Sequence, residues 1–171
     1  MAELWDIYDD NKNKTGKLVE RGNYKLKKGE YHIVVIALII NSKKEILMTK
    51  RAPSKKKEPL KWELTGGSII AGETSLQGML REIQEEIGQI FKPEDATFLT
   101  SIKRNDIAQD FKDIWLFKKD IQLEDIKFTD GEAIDAKWVT IEELLKMKEN
   151  KETVSTIDFG IDEYNLALKK F

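Results

Sequence analysis

The stretch Gly67–Gln89 reads GSIIAGETSLQGMLREIQEEIGQ, and the rest of the chain is read outward from it. Thr74 followed three residues later by Gln77 is a capping box, and Gly88 supplies a left-handed stop, so the spacing predicts a helix over Ser75–Ile87. Leu76, Met79, Leu80, Ile83 and Ile87 fall on one stripe of that helix, the face expected to be buried. Glu82, Glu85 and Glu86 stand at i, i+3 and i+4, so their carboxylates converge on a second face, expected to be exposed. The plain reading is a solvated acidic surface. Two energies oppose it. Glu82 and Glu86 are like charges four residues apart, costing roughly 0.2–0.5 kcal/mol. Glu85 and Glu86 also lie in the last turn, where the helix dipole disfavours an anion by roughly 0.3–1 kcal/mol. A divalent cation reverses both penalties, and an all-oxygen donor set suits Mg²⁺ or Mn²⁺ better than zinc.

The same residues resemble the Nudix box. Gly67, Glu73, Arg81, Glu82, Ile83, Glu85, Glu86 and Gly88 fall on that signature's positions, and Gln89 departs from its final apolar one. Its seven fixed residue types would meet this spacing by chance on the order of once in a hundred million placements. The resemblance implies an α/β fold, an α/β/α sandwich with a mixed central sheet, and a metal-dependent hydrolase of phosphoric anhydride bonds. It implies that Glu82, Glu85 and Glu86 bind the metal, joined by the Gly66 carbonyl, and that one of these glutamates or a loop carboxylate takes the proton from water. Glu132, in the turn Asp130-Gly131-Glu132, is the candidate for that outlying carboxylate, with Asp130 or the 105–111 connection as alternatives. Arg81 and Glu73 are implied to pair and hold the loop against the helix, with Gly67 and Gly88 shaping its two ends. Ile90 is expected to supply the apolar contact that Gln89 lacks.

At 171 residues the chain is expected to form one domain: an N-terminal hairpin extension (1–30), a core (31–150) and a C-terminal helix (151–171). Twenty-nine Lys and Arg against 31 Asp and Glu give no basis for general nucleic-acid binding. The absence of cysteine removes disulfides, thiol nucleophiles and Cys-based zinc sites. The opening MAELWDIYDD lacks the apolar core of a secretory signal, and the longest apolar run, Ile33–Ile40, is far short of the ~20 residues that span a bilayer. A cytoplasmic protein acting on a small-molecule diphosphate, without nucleic-acid or membrane partners, is the expectation; a homodimer is left open.

Along the chain, Leu4–Tyr8 and Lys17–Arg21 read as a hairpin around the turn Asp9–Gly16, an arrangement that resembles the extension of Nudix proteins close to the isopentenyl-diphosphate isomerases. Ile33–Ile40, apolar on both faces, reads as a central strand covered on each side, followed by a turn and the strand Glu45–Lys50. Lys50 and Arg51, closing that strand, are candidates for holding a substrate phosphate, whereas Lys55, Lys56 and Lys57 read as a solvated loop. Trp62 reads as core. Strands follow at Thr97–Lys103, Asp113–Lys118 and Ala133–Val139. The polar connection Asn105–Phe111 is a place for substrate choice. Thr140 with Glu143 caps a further helix, and Ile161, Tyr164, Leu168 and Phe171 mark a last one with a single apolar stripe.

His32, the only histidine, reads as a packed or surface residue rather than an acid, base or ligand. With no cysteine and one histidine, the machinery of the isomerases cannot be assembled. A nucleotide sensor that binds without cleaving is the other alternative; three stacked carboxylates argue against it.

Overall fold

The computed structural model describes residues 3–105 and 108–171. Met1 and Ala2, and Asp106 and Ile107 within the connection expected to bear on substrate choice, lie outside the described residues.

The chain opens with the expected hairpin, β1 (Leu4–Tyr8) and β2 (Lys14–Glu20), around a shorter turn than the sequence suggests. There follow β3 (His32–Ile40), β4 (Ile46–Arg51), β5 (Trp62–Glu63), β6 (Gly66–Ser68), α1 (Ser75–Ile87), β7 (Ala96–Arg104), β8 (Asp110–Lys118), β9 (Ala133–Val139), α2 (Ile141–Glu149) and α3 (Asp158–Leu168). β8 begins three residues earlier than expected. Asp110, Phe111 and Lys112 pair in parallel register with His32, Ile33 and Val34, so backbone pairing overrides their mixed polarity.

β3 lies at the centre of a mixed sheet. Its whole length pairs in parallel with β8, and β7 closes the edge antiparallel to β8. On its other side β3 meets β4 only at Ile40↔Ile46; the two strands then diverge. β6 pairs with Val34–Ile36 of β3, while β5 pairs with Thr49 and Lys50 of β4, so the segment 62–68 fills the wedge. β9 runs along β4 from Ile46 to Arg51.

The apolar run of β3 serves two faces because successive side chains alternate across a sheet. Ile33, Val35, Ala37 and Ile39 join Met79, Ile83 and Ile87 of α1 in one core. Leu38 and Ile40 join Ile46, Met48, Ile114 and Leu116 against Leu144 and Met147 of α2 and Ala167 and Tyr164 of α3. Helices therefore cover both faces, as the doubly apolar strand implies. Phe171 is the exception to the expected last stripe: it lies past α3, exposed, beneath the Lys118 ammonium. Among the described residues, no helix is long and apolar enough to cross a membrane.

Candidate active site

The helix that carries the glutamates has the expected limits, because both of its end signals are local. Gln77 N donates to Thr74 Oγ1 over 3.2 Å and Thr74 N donates to Gln77 Oε1 over 2.9 Å, while Gly88 takes φ 67° and closes the last turn. Gln89 is no longer an anomaly: its Nε2 donates to the Asp125 carbonyl over 2.8 Å, lacing the connection between β8 and β9 to the helix end. Ile90 does not replace it as an apolar contact, being 78% exposed.

Beside this helix, in the wedge between β3 and β4, lies a cavity of about 360 Å³. Gly66, Gly67, Glu63, Glu82, Glu85, Glu86, Asp130 and Glu132 line it, with the cations Arg21, Arg51, Lys55 and Arg81 and the rim residue Glu3. Gly66 brings its backbone against Val35, leaving no room for a Cβ.

Arg81 organises the box. Its Nε donates to Glu73 Oε1 over 2.8 Å, its Nη2 to the Ser68 carbonyl over 3.1 Å, and its Nη1 to Glu82 at 2.9 Å and Glu85 at 2.8 Å. Glu73 in turn accepts from Ile70 N over 3.0 Å, so the loop entering α1 is tied to the helix through one ion pair. These charges hold the Arg81 guanidinium firmly protonated, overcoming its partial burial.

The three helix glutamates do not share the exposed face that their spacing suggests. Only Glu85 is open to solvent; Glu82 is half-buried and Glu86 is buried. The wedge between the strands brings Glu63 and the turn at 130–132 up against the helix and covers Glu86. Burial pushes the Glu82 carboxyl up to about 7 despite the neighbouring Arg81. Glu86 is raised well above the ordinary carboxylate range, first by burial and then by Glu63, Glu82, Asp130 and Glu132. Its Oε2 is buried and has no hydrogen-bond partner among the described residues. Among the described residues no three such groups form a ready-made metal cage. Arg81 instead engages Glu82 and Glu85. An orphaned buried oxygen amid hard-oxygen donors nonetheless fits a divalent cation.

Several residues fall elsewhere than the sequence suggests. The Lys50 ammonium lies 5.6 Å from the centre of the Trp62 ring and does not line the cavity. Arg51 does line it, but its Nη1 donates to both oxygens of Glu63, at 2.8 and 2.7 Å, and its Nε and Nη2 donate to the carbonyls of Lys57 and Glu58. Lys55, expected in a solvated loop, enters the cavity and pairs with Glu132. Trp62, read as core, is half-buried and packs against the second core, with the Lys137 ammonium 4.3 Å from its ring centre. His32 is packed: Trp5 stacks on it with ring centres 4.0 Å apart, and burial lowers its pKa. Glu63 is a wall residue that sequence reasoning passed over, since a lone Glu in a two-residue strand carries no spacing signal.

A sandwich of this topology with this glutamate helix defines a Nudix hydrolase. The NUDIX domain family model matches residues 30–157, and the chain belongs to that family. An uncharacterized Nudix hydrolase of Listeria monocytogenes is 37% identical over 89% of this chain and 88% of its own. A crystal structure from Deinococcus radiodurans shares the fold at TM-score 0.73 and 20% identity, over 98% of each chain. The Nudix domain of Shewanella oneidensis NrtR, solved with ADP ribose, has a TM-score of 0.65 at 19% identity, over 85% of this chain and 94% of that one.

Proposed function

We propose that this chain is a Mg²⁺- or Mn²⁺-dependent pyrophosphohydrolase that splits a nucleoside diphosphate linked to another group, or a related organic diphosphate. The observation that carries the reading is Glu86, a buried carboxylate with an unpartnered oxygen, facing Glu63, Glu82, Asp130 and Glu132. Such an arrangement is costly unless a cation joins it.

In this reading Glu82, Glu85, Glu86 and the Gly66 carbonyl would hold the metal, which would supply Lewis acidity to the attacking water and the phosphate oxygens. Arg81 releases Glu82 and Glu85 while keeping Glu73 and Ser68, so the loop does not move when the carboxylates turn inward. Glu132, fixed by Lys55 on the cavity's rim, takes the proton from water. Water oxygen bonds to phosphorus, the anhydride P–O bond breaks, and its electron pair leaves on the second phosphate. The products are two phosphate esters, or one ester and phosphate.

The test is a screen of nucleoside diphosphate derivatives with Mg²⁺ and Mn²⁺, with ADP ribose included because a protein of this fold holds it. Monophosphate products should form with metal and not with chelator. Glu86→Gln and Glu85→Gln should each lose roughly 10²–10⁴-fold in rate. Unchanged turnover in both variants overturns the reading, and tight binding without any product restores the sensor alternative.

A further inference from the structure

The cavity's four cations are unequally committed. Arg81 spends its donors on Glu73, Glu82, Glu85 and Ser68, Arg51 on Glu63 and the 57–58 carbonyls, and Lys55 on Glu132. Arg21 makes one side-chain hydrogen bond, from Nη1 to Glu3 Oε2 over 2.6 Å, and both members of that pair are about half exposed, at 49% and 47%. Its Nε and Nη2 donate to no described residue. An exposed pair of this kind contributes little, so Glu3 is readily exchanged for a stronger anion.

Arg21 comes from outside the box, immediately after β2, yet its backbone is firmly placed. Its N–H donates to the Glu3 carbonyl over 2.8 Å. β1 is fastened to the loop that leads into α1: Ala71 N donates to the Leu4 carbonyl over 2.7 Å and Gly72 N to Asp6 Oδ2 over 2.8 Å. Tyr8 and Tyr31 exchange backbone bonds of 2.8 and 2.9 Å, and Lys12 reaches buried Asp113 at 2.5 Å. The Arg21 Cζ lies 6.0 Å from the Trp5 ring, which is itself stacked on His32. The hairpin is thus a wall of the cavity rather than an appendage, and of the described guanidiniums there Arg21 has the most uncommitted donors.

We propose that Arg21 binds a phosphate oxygen of the substrate, taking it in place of Glu3, and that the N-terminal hairpin thereby helps set which diphosphates are accepted. A planar fork with its Nε and Nη2 uncommitted is the donor that phosphate recognition uses best. This rests on the reading of the cavity as a diphosphate-hydrolysing site.

The test compares wild type, Arg21→Ala, Arg21→Lys and Glu3→Gln in Mg²⁺, by steady-state kinetics on a substrate found in the screen and by calorimetric titration with inorganic pyrophosphate. Arg21→Ala should raise KM and the pyrophosphate Kd about 10–100-fold, the scale of one charge-assisted hydrogen bond, with kcat within about threefold. Arg21→Lys should fall between the two. Glu3→Gln should leave both constants unchanged or lower them, since it removes the competing anion. KM and Kd unaltered in Arg21→Ala overturn the proposal. So does an equal rise in Arg21→Ala and Glu3→Gln, which would mean that the ion pair only braces the hairpin. If wild type cleaves nothing yet binds pyrophosphate through Arg21, the hydrolase reading fails and the Arg21 assignment stands. If wild type neither cleaves nor binds, both fall.

Discussion

The Glu82 carboxylate occupies the space that a side chain on Gly67 would need; a Cβ built there collides with the carboxyl carbon and both oxygens. The box glycine and the helix glutamate therefore constrain one another across the cavity wall. Gly67→Ala should displace the carboxylate by about an ångström and lower kcat roughly 10²-fold, with little change in Tm because the flexible end of Glu82 yields. Gly66→Ala presses instead on the Val35 carbonyl, which is backbone, and should destabilise by about 1–3 kcal/mol. Thermal melts and kcat on the two variants check the contrast, and wild-type kcat in Gly67→Ala would refute it.

In the proposed reading Glu86 is a strained carboxyl that a bound metal would relieve. In chelator, Glu86→Gln should melt higher than wild type by the equivalent of about 1–2 kcal/mol, because it removes a buried carboxyl whose ionisation burial and the facing carboxylates oppose. Mg²⁺ should raise the Tm of wild type and leave that of the variant nearly unmoved. A variant that melts lower in chelator would show that Glu86 is held by its surroundings and not strained by them.

Arg51 differs from Arg21 in what it holds together. Glu63 is largely enclosed, its carboxyl raised by burial in spite of Arg51, and the same guanidinium ties down the 57–58 turn. Arg51→Ala should cost about 2–3 kcal/mol of stability by leaving that carboxylate without its partner. Denaturant titration reads this directly, and an unchanged midpoint would make Arg51 a dispensable surface cation.

Lys112, 3% exposed on β8, gives a pH dependence whose sign can be worked out. Burial, reinforced by Arg104, lowers its ammonium to about 8 from 10.5, with Asp110 and Glu63 opposing. Between those values the unfolded chain keeps a proton that the folded chain has shed, so this group's contribution to stability rises with pH across the window and is least favourable below it. The Tm of Lys112→Met relative to wild type should therefore be more favourable at pH 7 than at pH 10. A difference that is flat or reversed between those pH values would rule out the lowered ammonium.

What the sequence disclosed and what it concealed divide along the range of the forces involved. Thr74, Gln77 and Gly88 act within one turn of the chain, so the limits of α1 could be read without a structure. The doubly apolar β3 likewise announces two covering layers, because alternation along a strand is local. Glu86 could not be seen to be buried, since its covering comes from Glu63 and the 130–132 turn, brought together only by the divergence of β3 from β4. Lys50 and Arg51 look equivalent in sequence, yet neighbouring residues of a strand face opposite ways, and only one reaches the cavity. Arg21 carried no signal at all; its place depends on backbone bonds from the hairpin to Ala71 and Tyr31 and on the Asp6 carboxylate accepting from Gly72 N.

The parting of β3 and β4 after a single rung has a consequence for how such a molecule can change. The floor of the cavity is main chain, Gly66 and Gly67 laid against β3, where an added side chain meets either backbone or the Glu82 carboxylate. Its sides come from three separate stretches of sequence: the N-terminal hairpin, the lysine-rich loop after β4 and the turn before β9. Each of these could be rewritten, one segment at a time, without touching the glutamate helix. Of these three, only the turn before β9 carries a residue of the proposed chemistry, Glu132, so the hairpin and the lysine-rich loop are the segments free to vary.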